Sequence, residues 1–148
     1  MPHFSIPIAA AGGALLDAYI GVSQARRTAL TAASQPAPDS QRVRALLATG
    51  ASCTCVDPII LTALGIPSTG TTQMNSPTTG ANPQTVNVYD VSIGIPGATP
   101  PPFFLGTVAV AEAQLLQVQG FHAIIGRDIL ASWVIHYNGP LSLVTVSY

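Results

Sequence analysis

Proline and glycine decide most of what this chain can become. There are thirteen of each, and together with clusters of Ser, Thr and Asn they cut the sequence into short pieces that leave little room for a long helix. The pieces between the cuts read as strands, so the expected fold class is all-β with one or two short helices. At 148 residues the chain has the size of one ordinary domain, and 1–148 reads as a single unit without repeat or linker.

The individual segments follow from local pattern. His3 to Ala9 and Leu15 to Ser23 are expected strands around a turn from Ala10 to Ala14, where Gly12 and Gly13 are free to take positive φ. Ser34 to Gln41, with Pro36, Pro38 and Asp39, is a loop. Arg42 and Arg44 then alternate with Val43 and Ala45 before the run turns wholly apolar through Leu47, which predicts a strand entering the core. Asp57-Pro58, the stripe Ile59, Ile60, Leu61 and Leu64, and Gly65 supply a cap, a first-turn proline and a C-terminal stop for a short helix.

Ser68 to Pro83 is almost entirely Thr, Ser, Gly, Asn and Pro, and the alternation that follows from Val86 to Ile93 predicts an exposed hairpin returning to the body. Pro96 to Pro102 is a turn, and Phe103 to Val110 a strand whose two phenylalanines enter the core. Ala123-Ile124-Ile125 is a short buried run, and Gly126 opens a helical turn through Leu130. Trp133 to Tyr137 and Leu141 to Ser147 are strands around Asn138-Gly139-Pro140, with Trp133 and Tyr137 expected in the core.

Charge removes several functions from consideration. Five basic and six acidic residues leave a net charge of -1, so there is no field to collect nucleic acid or an anionic membrane surface. Charged residues make up 7 % of the chain and apolar ones 48 %, against about a quarter charged in ordinary domains. Such a balance argues against disorder and for a surface covered by a partner, so an oligomer is expected.

The longest apolar stretch, Ile6 to Val22, is interrupted by Pro7, Gly12, Gly13 and Asp17 and is a poor membrane span. Met1-Pro2-His3-Phe4 lacks the basic start of a secretory leader, so a cytoplasmic location is expected. Cys53 and Cys55 would share a face in an extended segment, but a bridge between them is strained. With only His3, His122 and His136 beside them, no zinc-ligand spacing arises, so neither metal nor cofactor is expected and the two thiols read as small buried side chains.

Two segments carry chemistry: Ala45-Leu46-Leu47-Ala48-Thr49-Gly50-Ala51-Ser52 and Ala123-Ile124-Ile125-Gly126-Arg127-Asp128-Ile129-Leu130. Together they resemble the two signatures of the retropepsin-like aspartic proteases, an apolar pair followed by Asp-Thr-Gly-Ala and a hydrophobic pair followed by Gly-Arg-Asp. The likeness spans roughly Arg42 to Trp133. It departs at one position, where Ala48 stands in place of the catalytic Asp.

The resemblance implies a retropepsin-like acid-protease β-barrel with a flap hairpin. In such a site two carboxylates share a proton: one draws a proton from the attacking water while the other protonates the carbonyl oxygen. At ~3 Å both cannot ionise, so their pKa values split. With one such loop per chain, the resemblance implies a homodimer whose two-fold axis brings two copies of position 48 together.

Carried over by position, Thr49 bridges the loops by its hydroxyl, Gly50 admits substrate, and Ala51 and Ser52 line the cleft. The Ser68 to Pro83 segment takes the place of the flap, with Thr78, Thr79, Gly80, Ala81 and Asn82 at its tip against a protein or peptide substrate.

A methyl holds no proton, so the chain is expected to bind without cutting. The intact surroundings of Ala48 point to a single exchange of Asp for Ala, made to keep the protein uncut, and the alternative is a natural pseudoprotease that binds extended peptides. A purely structural β-domain is the third reading, and it predicts binding of neither peptide nor inhibitor.

The remaining polar residues draw plainer roles. Asp128 is expected to meet the positive end of a helix, Arg127 to make an ion pair or a carbonyl contact, and Asp57 to cap a helix. Asp17, Asp39, Asp90 and Glu112 are expected to be isolated and solvated. No Gly-x-Ser-x-Gly elbow supports a Ser-His-Asp triad.

Overall fold

The computed structural model describes residues 1–76 and 80–148. In chain order the elements are β1 (His3–Ala9), β2 (Gly13–Val22), α1 (Gln24–Ala32), β3 (Gln41–Leu47), β4 (Cys55–Val56), α2 (Pro58–Leu64) and β5 (Gly70–Met74). They continue with β6 (Gln84–Ile95), β7 (Phe103–Glu112), α3 (Leu116–Gln119), β8 (Ala123–Ile125), α4 (Arg127–Leu130), β9 (Val134–Asn138) and β10 (Leu143–Ser147).

Alternation builds the barrel. In β2 the residues Ala14, Leu16 and Ala18 are buried while their neighbours are more open, and in β3 Val43 and Ala45 point in while Arg42 and Arg44 point out. The order β6-β7-β4-β8-β3-β2 closes on itself because Tyr19–Val22 of β2 also pairs antiparallel with Val91–Gly94 of β6. Closure removes the free edges that an open sheet of these strands would expose. Ile20, Val22, Val43, Val56, Val91, Ile93, Val110 and Ile125 fill the interior.

Outside the ring, β10 lies between β1 and β9, both antiparallel to it. Phe4 and Ile6 of β1 and Val144 and Val146 of β10 are buried beneath this small sheet. Four rings lock its end: Trp133 meets Phe4 and Phe103 edge-on at 5.7 and 5.0 Å, and Phe103 meets Tyr148 at 5.3 Å. No helix of the described residues is long and apolar enough to cross a membrane. The Ile6 to Val22 stretch is strand, turn and strand, with Gly13 at φ 71°.

Several expectations need correction. Tyr137 is 66 % exposed and is not in the core, because β9 is the outermost strand of its sheet and pairs only with β10. Phe104 is 58 % exposed while Phe103 packs inward, as the two-residue period of a strand requires. Asp17 is not isolated: it receives Arg42 at 2.8 Å and Arg44 at 3.3 Å, and the hydrogen bond from Arg42 is the main reason its carboxyl is held below the usual range. Glu112 is not isolated either, since it accepts from the Asn87 amide at 3.0 Å and the Tyr89 hydroxyl at 3.4 Å.

Candidate functional site

The site begins where β3 ends. β3 runs parallel to β8 in the register Ala45 to Ala123, Leu46 to Ile124 and Leu47 to Ile125, and the Ala48 N–H carries the ladder one step further by donating to the Ile125 carbonyl at 3.1 Å. This pairing joins the two signature segments, which lie far apart in sequence. The Ala51 N–H then donates to the Ala48 carbonyl at 3.1 Å and closes a turn that leaves Thr49 and Gly50 exposed. A side chain built on Gly50 would meet nothing within 4 Å, so the turn faces open space.

A second set of bonds fixes this turn to the opposite segment. Arg127 donates its backbone N–H to the Ala51 carbonyl at 2.9 Å and its guanidinium to the Thr49 carbonyl at 3.0 Å, the carbonyl contact expected of it. Gly126 sits against the backbone of Cys53 and Thr54: a Cβ there would collide with the Cys53 carbonyl carbon and oxygen and lie 2.9 Å from the Thr54 nitrogen. Glycine is required here for want of space rather than for a positive φ.

Thr54 is the hub that sequence reasoning missed. It is fully buried. Its N–H and hydroxyl donate to the two oxygens of Asp128 at 2.9 and 2.8 Å, and its hydroxyl oxygen accepts the Gly126 N–H at 3.1 Å. Asp128 therefore does more than face a helix end: besides accepting from the Ile129 N–H at 3.0 Å, it clamps the neighbouring loop. Within one chain the hydroxyl that joins the two segments is that of Thr54. No local signal marks it, because its partners are 72 and 74 residues away.

Asp57 braces the far end of the loop. One oxygen caps α2 through the Ile59 N–H at 3.0 Å, as its sequence position predicts, and the other accepts the Leu115 and Leu116 N–H groups, both at 2.8 Å. Burial pushes the carboxyl up, but the three N–H donors outweigh it and hold the group below the usual carboxylate range.

The candidate cleft residues fall as follows. Ala48, Ala51 and Cys53 are half-buried and Ser52 is exposed. Across from them stands the hairpin of β5 and β6, paired from Gly70 with Val88 to Met74 with Gln84. Gly80, Ala81 and Asn82 are exposed beyond it, while Thr78 and Thr79 lie outside the described residues. Met74 and Val86 of the hairpin pack on the same apolar cluster as Cys53, Leu46 and Ile124, around buried Cys55, Ala111, Leu115 and Phe121. The hairpin and the Ala48 loop thus border one apolar patch.

Two surface hollows lie elsewhere. One of 280 Å³ is lined by α2 with Tyr89 and Glu112, and one of 360 Å³ by Tyr19 and Phe104 with their neighbours. Among the described residues no group of three His, Cys, Asp or Glu side chains converges on a common point.

No protein-family model matches this sequence, and no curated protein matches it. Among solved structures the chain is similar to the crystal structure of a retropepsin-like aspartic protease from Rickettsia conorii, with a TM-score of 0.59 and 13 % identity over 99 % of this chain and 90 % of that one. At that identity the likeness shows the fold: an all-β, retropepsin-like barrel with a few short helices.

Proposed function

We propose that the chain is a retropepsin-like aspartic endopeptidase in inactive form, with Ala48 where each copy of a homodimer would carry its catalytic aspartate. The observation that carries this reading is the placement of Ala48. It stands at the end of β3, paired to β8, on a turn clipped to Gly126 and Arg127 and open to solvent at Gly50. A single chain presents one such turn, so a two-fold axis is needed to bring two copies of position 48 into proton-sharing distance.

In this reading an extended peptide lies between the turn and the β5–β6 hairpin, which acts as a flap and excludes water when it closes. Ala51 and Ser52 form one wall of the cleft, and Gly80, Ala81 and Asn82 reach over the substrate from the flap, with Thr78 and Thr79 as further substrate-binding residues of the proposal. Thr49 bridges the two copies. With Asp at position 48, one carboxylate would take a proton from water as the other protonates the peptide carbonyl. With Ala48 neither transfer has a carrier, so the dimer binds peptide and leaves it intact. A cytoplasmic location belongs to the same proposal.

A natural pseudoprotease that binds extended peptides is the second reading. Substituting Ala48→Asp and incubating with an unstructured protein from mildly acidic to neutral pH tests the first reading. Cleavage blocked by a statine-type transition-state analogue is expected. Peptide binding by the unaltered chain, with no cleavage by the substituted one at any pH, would leave the second.

A further inference from the structure

The site loop holds two thiols that the proposed chemistry does not use. Cys53 is half-exposed and Cys55 is buried, and both belong to the apolar patch below the hairpin. The Cys55 thiol turns back toward its neighbour, with its sulfur 3.7 Å from the Cys53 carbonyl oxygen. Between them sits Thr54, whose three hydrogen bonds hold Asp128 and Gly126.

From this geometry we infer that Cys53 and Cys55 form a reversible thiol modification site, which a low-molecular-weight disulfide closes into an intrachain bridge that unfastens Thr54 from the second segment. The Cys53 thiolate attacks the disulfide; its S–S bond breaks, one small thiol leaves and a mixed disulfide remains on Cys53. The Cys55 thiolate then attacks the Cys53 sulfur and expels the second small thiol. Two electrons pass from the pair to the reagent, and the two protons end on the released thiols.

A closed bridge needs Cβ atoms about 3.8 Å apart. Drawing the two residues on either side of Thr54 to that distance bends the backbone there, at a residue whose N–H and hydroxyl are both committed to Asp128. Strain of this kind makes a bridge easy to reduce, as a reversible device requires. Burial is the main cause that pushes the Cys55 thiol up to about 12, followed by the charge and hydrogen bond of Cys53 and then the charge of Asp128. Capping Cys53 removes the second of these influences, and burial keeps the closing step slow at neutral pH. The bridge acts on the fold itself, so it is read by mass and melting whether or not the cleft takes a peptide.

The experiment treats the full chain with oxidised glutathione and follows intact mass and melting temperature. The chain is expected to lose two hydrogens, to close about tenfold faster per pH unit between about pH 7 and 9, and to melt about 5 °C lower until dithiothreitol restores it. Cys55→Ser should stop at one glutathione adduct, and Cys53→Ser should stay unmodified over the same period. An adduct on the unaltered chain that still does not close at about pH 9, a bridge between two chains, closure without a change in melting, or Cys53→Ser reacting as fast as the unaltered chain would each overturn the inference.

Discussion

The loop from Ala48 to Thr54 and the β5–β6 hairpin border the same apolar patch but are held in opposite ways. The loop is tied to the second segment by backbone bonds at Ala48 and Ala51, by the Arg127 guanidinium on the Thr49 carbonyl and by the buried hydroxyl of Thr54. The hairpin keeps Gly70 to Gln73 in solvent and rests on its own ladder, with Met74 and Val86 as its anchors. Backbone whose polar groups are satisfied inside the protein opens only with the global fold, whereas an exposed ladder opens locally at low cost. A reacting group needs the first kind of support, and an element that admits a ligand needs the second.

That contrast is most exposed at Gly126. Gly126→Ala drives a methyl into the Cys53 backbone, and denaturant unfolding should show a loss of about 3 kcal/mol. A loss below about 1 kcal/mol would mean that the two segments part easily and that the loop is no stiffer than the hairpin. Thr54→Val keeps the shape but leaves the Gly126 N–H buried and unpaired, for an expected loss of about 2 kcal/mol, with Thr54→Ser recovering most of it.

Asp57 extends the contrast to pH. Its folded carboxyl lies below its unfolded value of about 3.9, so the unfolded chain binds more protons in that range. The stability it contributes is full above the unfolded value and is lost as pH falls through the folded one. Asp57→Ala should lower the melting temperature at neutral pH and flatten its fall below about pH 4. An unchanged acid limb would deny Asp57 that part. The smallest effect belongs to the hairpin: Gln73→Ala removes an exposed bond to Thr85 and should change stability by less than about 0.5 kcal/mol in the same denaturant series.

How much of this was legible in the sequence depends on the range of the interaction. The barrel strands β2, β3, β6, β7 and β8, the α2 helix with its Asp57 cap and Gly65 stop, and the two signature segments are written in local periodicity and turn residues, and they appear where expected. Helix α1 is capped by the Ser23 hydroxyl but buries no side chain, so it carries no apolar stripe to announce it. β4 is two residues long and exists only through its partners β7 and β8.

The pairing of Asp17 with Arg44 depends on the β2–β3 register, which places those residues opposite each other and which neither strand states alone. The same holds for the site. Ala48, Gly50 and Gly126 are visible as motif, while the Thr54 and Asp128 clamp is created by the crossing of two distant segments.

The most direct test of a site shared between two chains mixes them. Ala48→Asp protein is refolded together with increasing amounts of the unaltered chain at constant total concentration, and peptide cleavage is measured. If each catalytic pair draws one carboxylate from either copy, mixed dimers are inactive and the rate falls as the square of the substituted fraction. A rate that falls in simple proportion to that fraction would show that each chain works alone, and the shared dyad would be wrong.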